Sequence, residues 1–159
     1  MGKIKYLVMD VDGTLTDGKI YMSPSGEMMK AFNIKDGCGI HDILLKKDVK
    51  PVIITGRESV IVSNRCREIG IESIYQGVTD KVQKIKELLN DLSEVAYIVD
   101  DINDFSVMKL IRDNGGIIGC PSDAVKQVKS IADFIADHNG GEGAVRDFIE
   151  YIVDSNAHN

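Results

Sequence analysis

Apolar positions in this chain fall in short continuous runs: Tyr6 to Met9, Val52 to Ile54, Tyr97 to Val99 and Ile117 to Ile118, with a weaker run at Phe134 to Ile135. Runs of this length without alternation read as strands buried on both faces. Between them, Val60 to Ile69, Val82 to Leu89 and Phe105 to Ile111 carry apolar residues at helical spacing. Strands alternating with helices require right-handed crossovers, which predicts a three-layer α/β fold with a mainly parallel sheet covered on both faces. Ligands in such sheets bind at the carboxyl ends of strands. Asp10, Thr55 and Asp100 all stand at such ends.

Two segments break the rhythm. Lys19 to Ala31, with Ser23-Pro24-Ser25-Gly26 at its middle, reads as a small β-hairpin insertion. The Gly-rich stretch within 139–146 precedes an amphipathic helix from Ala144 to Val153 and predicts a mobile connection. Residues Ser155 to Asn159 are expected to fray. No linker or repeat divides the 159 residues, so a single domain over 1–159 is expected.

Charge and cysteine usage narrow the classes. A net charge of −6 argues against nucleic-acid binding, which draws its affinity from clustered Lys and Arg. No apolar run approaches the length of a bilayer span, so no membrane association is expected. Cys38, Cys66 and Cys120 are widely spaced and form no Cys-x-x-Cys pattern. They are expected to be buried thiols in a reducing, cytoplasmic setting.

The run Asp10-Val11-Asp12-Gly13-Thr14, directly after the first strand, carries the most chemical information. Strand alternation sends Asp10 and Asp12 off the same side, toward one small volume. Of two such carboxylates, one can attack phosphorus and the other can hold a proton for the leaving oxygen. Gly13 permits a tight turn and close approach of backbone to an anion. Asp and Gly are also ordinary turn residues, so the run gains meaning from what accompanies it. Thr55-Gly56-Arg57, Lys81 and Asp100-Asp101-Ile102-Asn103-Asp104 follow in order. Thr55 can donate a hydroxyl hydrogen bond to a phosphoryl oxygen, and Lys81 can place a charge between phosphate and nucleophile, lowering the nucleophile's pKa. A lysine at a helix start is otherwise disfavoured by the helix dipole. The carboxylates after Val99 repel one another unless a cation or proton intervenes, and magnesium suits two carboxylates, waters and a phosphate oxygen. The histidines His41, His138 and His158 are scattered and are assigned no catalytic role.

These four elements in this order resemble the haloacid dehalogenase superfamily of phosphatases, over most of the chain. The resemblance implies a Rossmann-like fold, Asp10 as the nucleophile that forms an aspartyl-phosphate, and Asp12 as the acid/base. It also implies Mg2+ held by Asp10, the backbone carbonyl of Asp12 and Asp100, with Asp101 and Asp104 in support. The family's last motif often opens with Gly where this chain has Val99, a departure that bears on loop geometry. Neither interval that houses a cap in this superfamily is long enough here for a large cap domain.

Phe32 to Ile40, Thr55-Gly56-Arg57 and Gly140-Gly141-Glu142-Gly143-Ala144-Val145-Arg146 further resemble the capless 3-deoxy-D-manno-octulosonate 8-phosphate phosphatases of lipopolysaccharide biosynthesis. That resemblance implies a sugar-phosphate substrate and a homotetramer with hairpins at the interface. It also implies a Gly-rich segment closing a neighbour's active site, with Thr55, Gly56, Arg57, Lys81 and Arg146 binding substrate. Arg57 or Arg146 would fork onto the substrate carboxylate, with Arg65 a weaker candidate. Related capless enzymes act on nine-carbon, sialic-type sugar phosphates, which is the alternative substrate. From other classes, a phospho-acceptor signalling domain places its acceptor Asp after the third strand rather than the first. A non-catalytic oligomerisation module would have no chemical reason to keep all five of Asp10, Asp12, Thr55, Lys81 and Asp100.

Overall fold

A computed structural model describes residues 2–158. Its strands are β1 (Tyr6–Met9), β2 (Tyr21–Ser23), β3 (Gly26–Met29), β4 (Lys50–Ile54), β5 (Ser73–Tyr75), β6 (Val95–Ile98), β7 (Ile117–Cys120) and β8 (Phe134–Ile135). Its α-helices are α1 (Ile34–Cys38), α2 (Val60–Glu68), α3 (Lys81–Leu88), α4 (Phe105–Asp113), α5 (Lys126–Ile131) and α6 (Ala144–Ala157). Six strands form one sheet in the order β5-β4-β1-β6-β7-β8, and every pairing in it is parallel. The hairpin β2–β3 stands apart as a two-stranded antiparallel sheet.

The unbroken apolar runs follow from burial on both faces. Leu7, Met9, Ile53 and Ile98 pack with Val62 and Cys66 of α2 and with Phe148, Ile149 and Ile152 of α6. Val8, Val52, Ile54 and Tyr97 face the opposite way, onto Ile85 of α3, Met108 and Ile111 of α4, and Val128 of α5. Each fully buried α6 side chain contributes about 1.5–3 kcal/mol to holding that helix on the sheet. Strand β6 begins two residues before the apolar run that marked it, because Val95 and Ala96 already pair with Tyr6 and Leu7.

Two expectations about the C-terminal part are corrected. Helix α6 continues to Ala157, and the Asn156 side chain accepts from Ile4 N at 2.8 Å and donates to Ile4 O at 2.9 Å. The tail is therefore pinned beside β1 up to that point, while Asn159 lies outside the described residues. The Gly-rich stretch is packed as well. Gly141 N donates to Thr14 O at 3.1 Å, Gly140 N donates to Asp123 Oδ1 at 3.0 Å, and a Cβ at Gly140 would collide with the Gly13 carbonyl. Glycine serves here for close backbone contact with the turn that follows β1 in its own chain. Of the cysteines, Cys66 and Cys120 are buried, but Cys38 is exposed because α1 turns Asp36 and Gly37 inward instead.

Asp36 explains how α6 begins on a glycine. Its N-cap is Gly143, which has no side chain to offer, and Asp36 reaches across to accept from Arg146 N at 2.9 Å. The carboxyl is 1% exposed, and its other oxygen has no hydrogen-bond partner. Burial lifts its pKa to about 6, against the pull of the backbone N–H groups of Arg146, Gly143 and Val145. The folded state therefore binds this proton more tightly than the unfolded chain. Stability from this group is greatest below about pH 4 and falls as pH rises toward 6, by roughly 3 kcal/mol in all. Asp36→Asn keeps the accepting oxygen without the charge. Its melting temperature relative to the unsubstituted protein should rise between about pH 4 and 6 and then level off. A difference independent of pH would remove this account.

Candidate active site

Strand order brings the sequence motifs together. Strand β1 lies between β4 and β6, so Asp10, Thr55 and Asp100 emerge side by side at the carboxyl edge. The turn after β1 closes on one carbonyl: Val11 O accepts from the backbone N–H groups of Thr14, Leu15 and Thr16 at 3.1, 2.9 and 3.1 Å. Thr16 Oγ1 accepts from Gly13 N and Gly18 N at 3.3 and 3.2 Å, which sets the path of the loop. A cavity of about 680 Å³ opens above this edge, lined by Asp10, Asp12, Thr55, Gly56, Arg57, Lys81, Asp100, Asp101 and Asp104 among others. That size falls within the ordinary range for a small-molecule site.

Lys81 is fixed between two carboxylates. Its Nζ lies 2.8 Å from Asp104 Oδ2 and 3.3 Å from Asp10 Oδ1. Asp80 caps the N-terminus of α3 by accepting from Gln83 N at 2.9 Å, which offsets the unfavourable position of a lysine in that first turn. The expected depression of the nucleophile's pKa is not what results. Burial raises the Asp10 pKa by more than Lys81 lowers it, and Asp104 adds to the rise.

Asp100 is pushed up to about 7, first by burial and then by the charge of Asp10, with Asp101 and Asp104 adding to it. Carboxylates so crowded call for a positive partner on their open side. Gly13 has φ +83°, and a Cβ there would fall inside the Asp100 carboxylate. The turn thus brings bare backbone against that side chain. Among the described residues no three Asp, Glu, His or Cys side chains form a cation cage of their own. The donor set fits magnesium, which takes one or two carboxylates and completes its shell with water and phosphate oxygens. Val99, the departure noted in the sequence, is accommodated: its N–H donates to Gly119 O at 3.3 Å and its side chain is buried. Among the described non-glycine residues only Asp48 has positive φ, so position 99 does not require glycine.

Thr55 is 3% exposed, and its backbone is held by Tyr75 O and Val78 N. A Cβ at Gly56 would make only ordinary contact with Val78 O, so packing alone does not demand glycine there. Arg57 lines the cavity with its guanidinium 3.9 Å from both Asp12 Oδ2 and Glu27 Oε1. Asp101 accepts from Ile102 N at 2.6 Å and is exposed at the rim. Arg146 lies elsewhere, its Nε bonded to Glu150 Oε1 at 2.6 Å, and it does not line this cavity. Arg65 pairs with Glu68 at 2.9 Å, and His138 pairs with Asp147 at 2.9 Å.

The partners of Asp12 on the hairpin side carry no motif along the chain. Lys30 Nζ stands 2.6 Å from Asp12 Oδ1 and 2.9 Å from Glu27 Oε1, and Ser59 Oγ donates to Glu27 Oε2 at 2.5 Å. Burial by itself lowers the Lys30 pKa, and the two carboxylates together more than reverse this. Glu27 is held below the usual carboxylate range by Ser59 and Lys30. Only Ser59 carried a local signal, as a Ser before the apolar start of α2.

An Asp-x-Asp turn after the first strand, a hydroxyl after the neighbouring strand, an anchored lysine and an acidic loop define a haloacid dehalogenase-type hydrolase. A structure described as a HAD superfamily (subfamily III A) hydrolase from Legionella pneumophila matches with TM-score 0.86 at 35% identity, covering 98% of this chain and 85% of that one. The 3-deoxy-D-manno-octulosonate 8-phosphate phosphatase KdsC of Escherichia coli K12 is 39% identical over 154 residues, or 94% of this chain and 79% of that protein. The structure of 3-deoxy-D-manno-octulosonate 8-phosphate phosphatase from Moraxella catarrhalis, in complex with magnesium ion, phosphate ion and KDO, matches with TM-score 0.87 at 36% identity, covering 98% and 89% of the two chains. The chain belongs to the 3-deoxy-D-manno-octulosonate 8-phosphate phosphatase family. No protein-family model matches it.

Proposed function

We propose that this chain is a single-domain, magnesium-dependent phosphatase that hydrolyses 3-deoxy-D-manno-octulosonate 8-phosphate to the free sugar acid and phosphate. The observation that carries the reading is the convergence of Asp10, Asp12, Thr55, Lys81 and Asp100 on one cavity. Asp10 attacks phosphorus, and the electron pair of the breaking P–O bond goes to the sugar oxygen, which takes a proton from Asp12. Asp12 then takes a proton from water, whose oxygen attacks phosphorus and returns Asp10 as a carboxylate with release of phosphate. Thr55 and Lys81 hold phosphoryl oxygens, with Asp104 keeping Lys81 in place. Asp10, Asp100 and the Asp12 carbonyl would hold magnesium, which when bound would offset the repulsion of nucleophile and phosphate dianion. Asp101 sits at the rim of this site in support.

Arg57 is the cavity's own partner for a substrate carboxylate, and Gly56 leaves room beside it. Arg146 could meet substrate only across a subunit boundary. Support for a homotetramer comes from exposed apolar side chains on the hairpin, Ile20, Met22, Met28 and Met29, together with Ile34 at 81% and Val60 at 75% exposure. Because the Gly-rich turn is committed to its own chain, closure by a neighbour would use residues around Arg146. No helix among the described residues is long and apolar enough to cross a membrane. We place the enzyme in the cytoplasm, supplying a sugar acid for lipopolysaccharide biosynthesis.

The test is magnesium-dependent phosphate release from eight-carbon and nine-carbon keto-sugar phosphates and from simple hexose phosphates, with sedimentation of the same sample. The eight-carbon substrate should give the highest kcat/KM, from a tetramer. Preference for the nine-carbon substrate would overturn the substrate assignment, and a monomer at assay concentration would overturn closure by a neighbour.

A further inference from the structure

Lys30 touches the group that must move a proton twice in each turnover, yet it does not line the cavity and its side chain is only 2% exposed. It follows directly on β3 and reaches Asp12 from outside the lining of the cavity. The contacts form a continuous chain. Ser59, the N-cap of α2, donates to Glu27 Oε2; Glu27 Oε1 holds Lys30 Nζ at 2.9 Å; and Lys30 Nζ holds Asp12 Oδ1 at 2.6 Å. Arg57 stands on the other side, 3.9 Å from Asp12 Oδ2. A buried ammonium gripped by two carboxylates has little freedom, so Asp12 inherits its orientation from the hairpin and from the start of α2.

We propose that Lys30 is the positioning residue of the acid/base: it engages Asp12 Oδ1, so that Oδ2 is the oxygen that exchanges the proton. Oδ2 gives the proton to the leaving oxygen as the P–O bond breaks, and later takes one from the water that attacks the aspartyl-phosphate. The inference rests on the phosphatase reading of Asp10 and Asp12. It also assigns the hairpin a task in catalysis besides the interface proposed for it. Lys30 meets neither substrate nor the transferring phosphoryl group and acts through Asp12 alone.

A misplaced proton donor matters most when the leaving group is a poor one, which separates this role from general loosening of the fold. The experiment follows first-turnover release of phenols from phenyl phosphates of graded leaving-group acidity at saturating magnesium, for the unsubstituted protein, Lys30→Met and Glu27→Gln. For Lys30→Met the rate should fall on the order of 100-fold with the most basic phenols and less than about threefold with p-nitrophenyl phosphate. Glu27→Gln should tilt the series the same way by a smaller amount, and it carries the test if Lys30→Met does not fold by circular dichroism. A uniform loss across the series, or none, in a folded variant would overturn the inference while leaving the phosphatase reading intact. No phosphate release by the unsubstituted protein from any substrate would overturn both.

Discussion

Asp10→Asn is expected to reduce phosphate release by at least about 10⁴-fold, since removal of a nucleophile from a site that works as a unit typically costs that much or more. The amide is close in shape to the carboxyl, but its lone pairs are delocalised and it carries no negative charge to attack phosphorus. The variant should fold as well as its parent. Asp10 is a largely buried carboxyl whose charged form is already disfavoured, so replacing it with a neutral group removes a burden on the folded state. No alkali- and hydroxylamine-labile phosphoprotein should be trapped by acid quenching during turnover. Hydrolysis within tenfold of the unsubstituted rate would defeat the assignment of Asp10, and with it the aspartyl-phosphate route.

The second large effect is expected at Gly13. Its φ of +83° disfavours any L side chain, and a Cβ there would meet the Asp100 carboxylate. The backbone strain amounts to about 1–2 kcal/mol, a fall of a few degrees in melting temperature for a chain of this size. Displacement of Asp100 is the greater harm, because it removes a carboxylate from the proposed magnesium site. Gly13→Ala should lose about 1,000-fold in kcat/KM, equivalent to roughly 4 kcal/mol of transition-state stabilisation, and should need more magnesium for half-maximal rate. Gly115 has φ +87° with only ordinary contacts to Ser93, so Gly115→Ala supplies the same strain far from the chemistry. A magnesium titration that moves equally in both variants would show that strain, and not Asp100, is responsible.

Both expectations depend on features that were legible along the chain, and the reason is local. A continuous apolar run followed by Asp-x-Asp-Gly states a buried strand, a turn and a pair of converging carboxylates within a few residues. The same holds for Thr55 after β4 and Asp100 after β6, because each motif needs only its own strand to place it. The helical extent of Ser155 to Ala157 was not legible, since the bonds that hold Asn156 run to Ile4, at the far end of the chain. The Gly-rich segment predicts mobility from composition, which records freedom and not the neighbour that removes it. Cys38 and Asp36 were placed in or out by the facing of a helix too short to show a period.

The electrostatic balance divides in the same way. That Lys81 would serve Asp10 could be read from motif order. That burial outweighs Lys81 at Asp10 required the cavity, because desolvation depends on everything packed around the carboxyl. Lys30, Glu27 and Ser59 were missed for a related reason: the hairpin's position over α2 has no signature in either segment taken alone.

By itself the sequence determined the parallel α/β architecture and the strand-end groups on which the proposed reaction rests, because strand burial and strand-end turns are encoded over short stretches. Only the tertiary structure decided which groups share a cavity, what holds Asp12, and that the Gly-rich turn braces Gly13 and Thr14. Those are distances between segments far apart in the chain, fixed by the packing of helices and hairpin around one sheet.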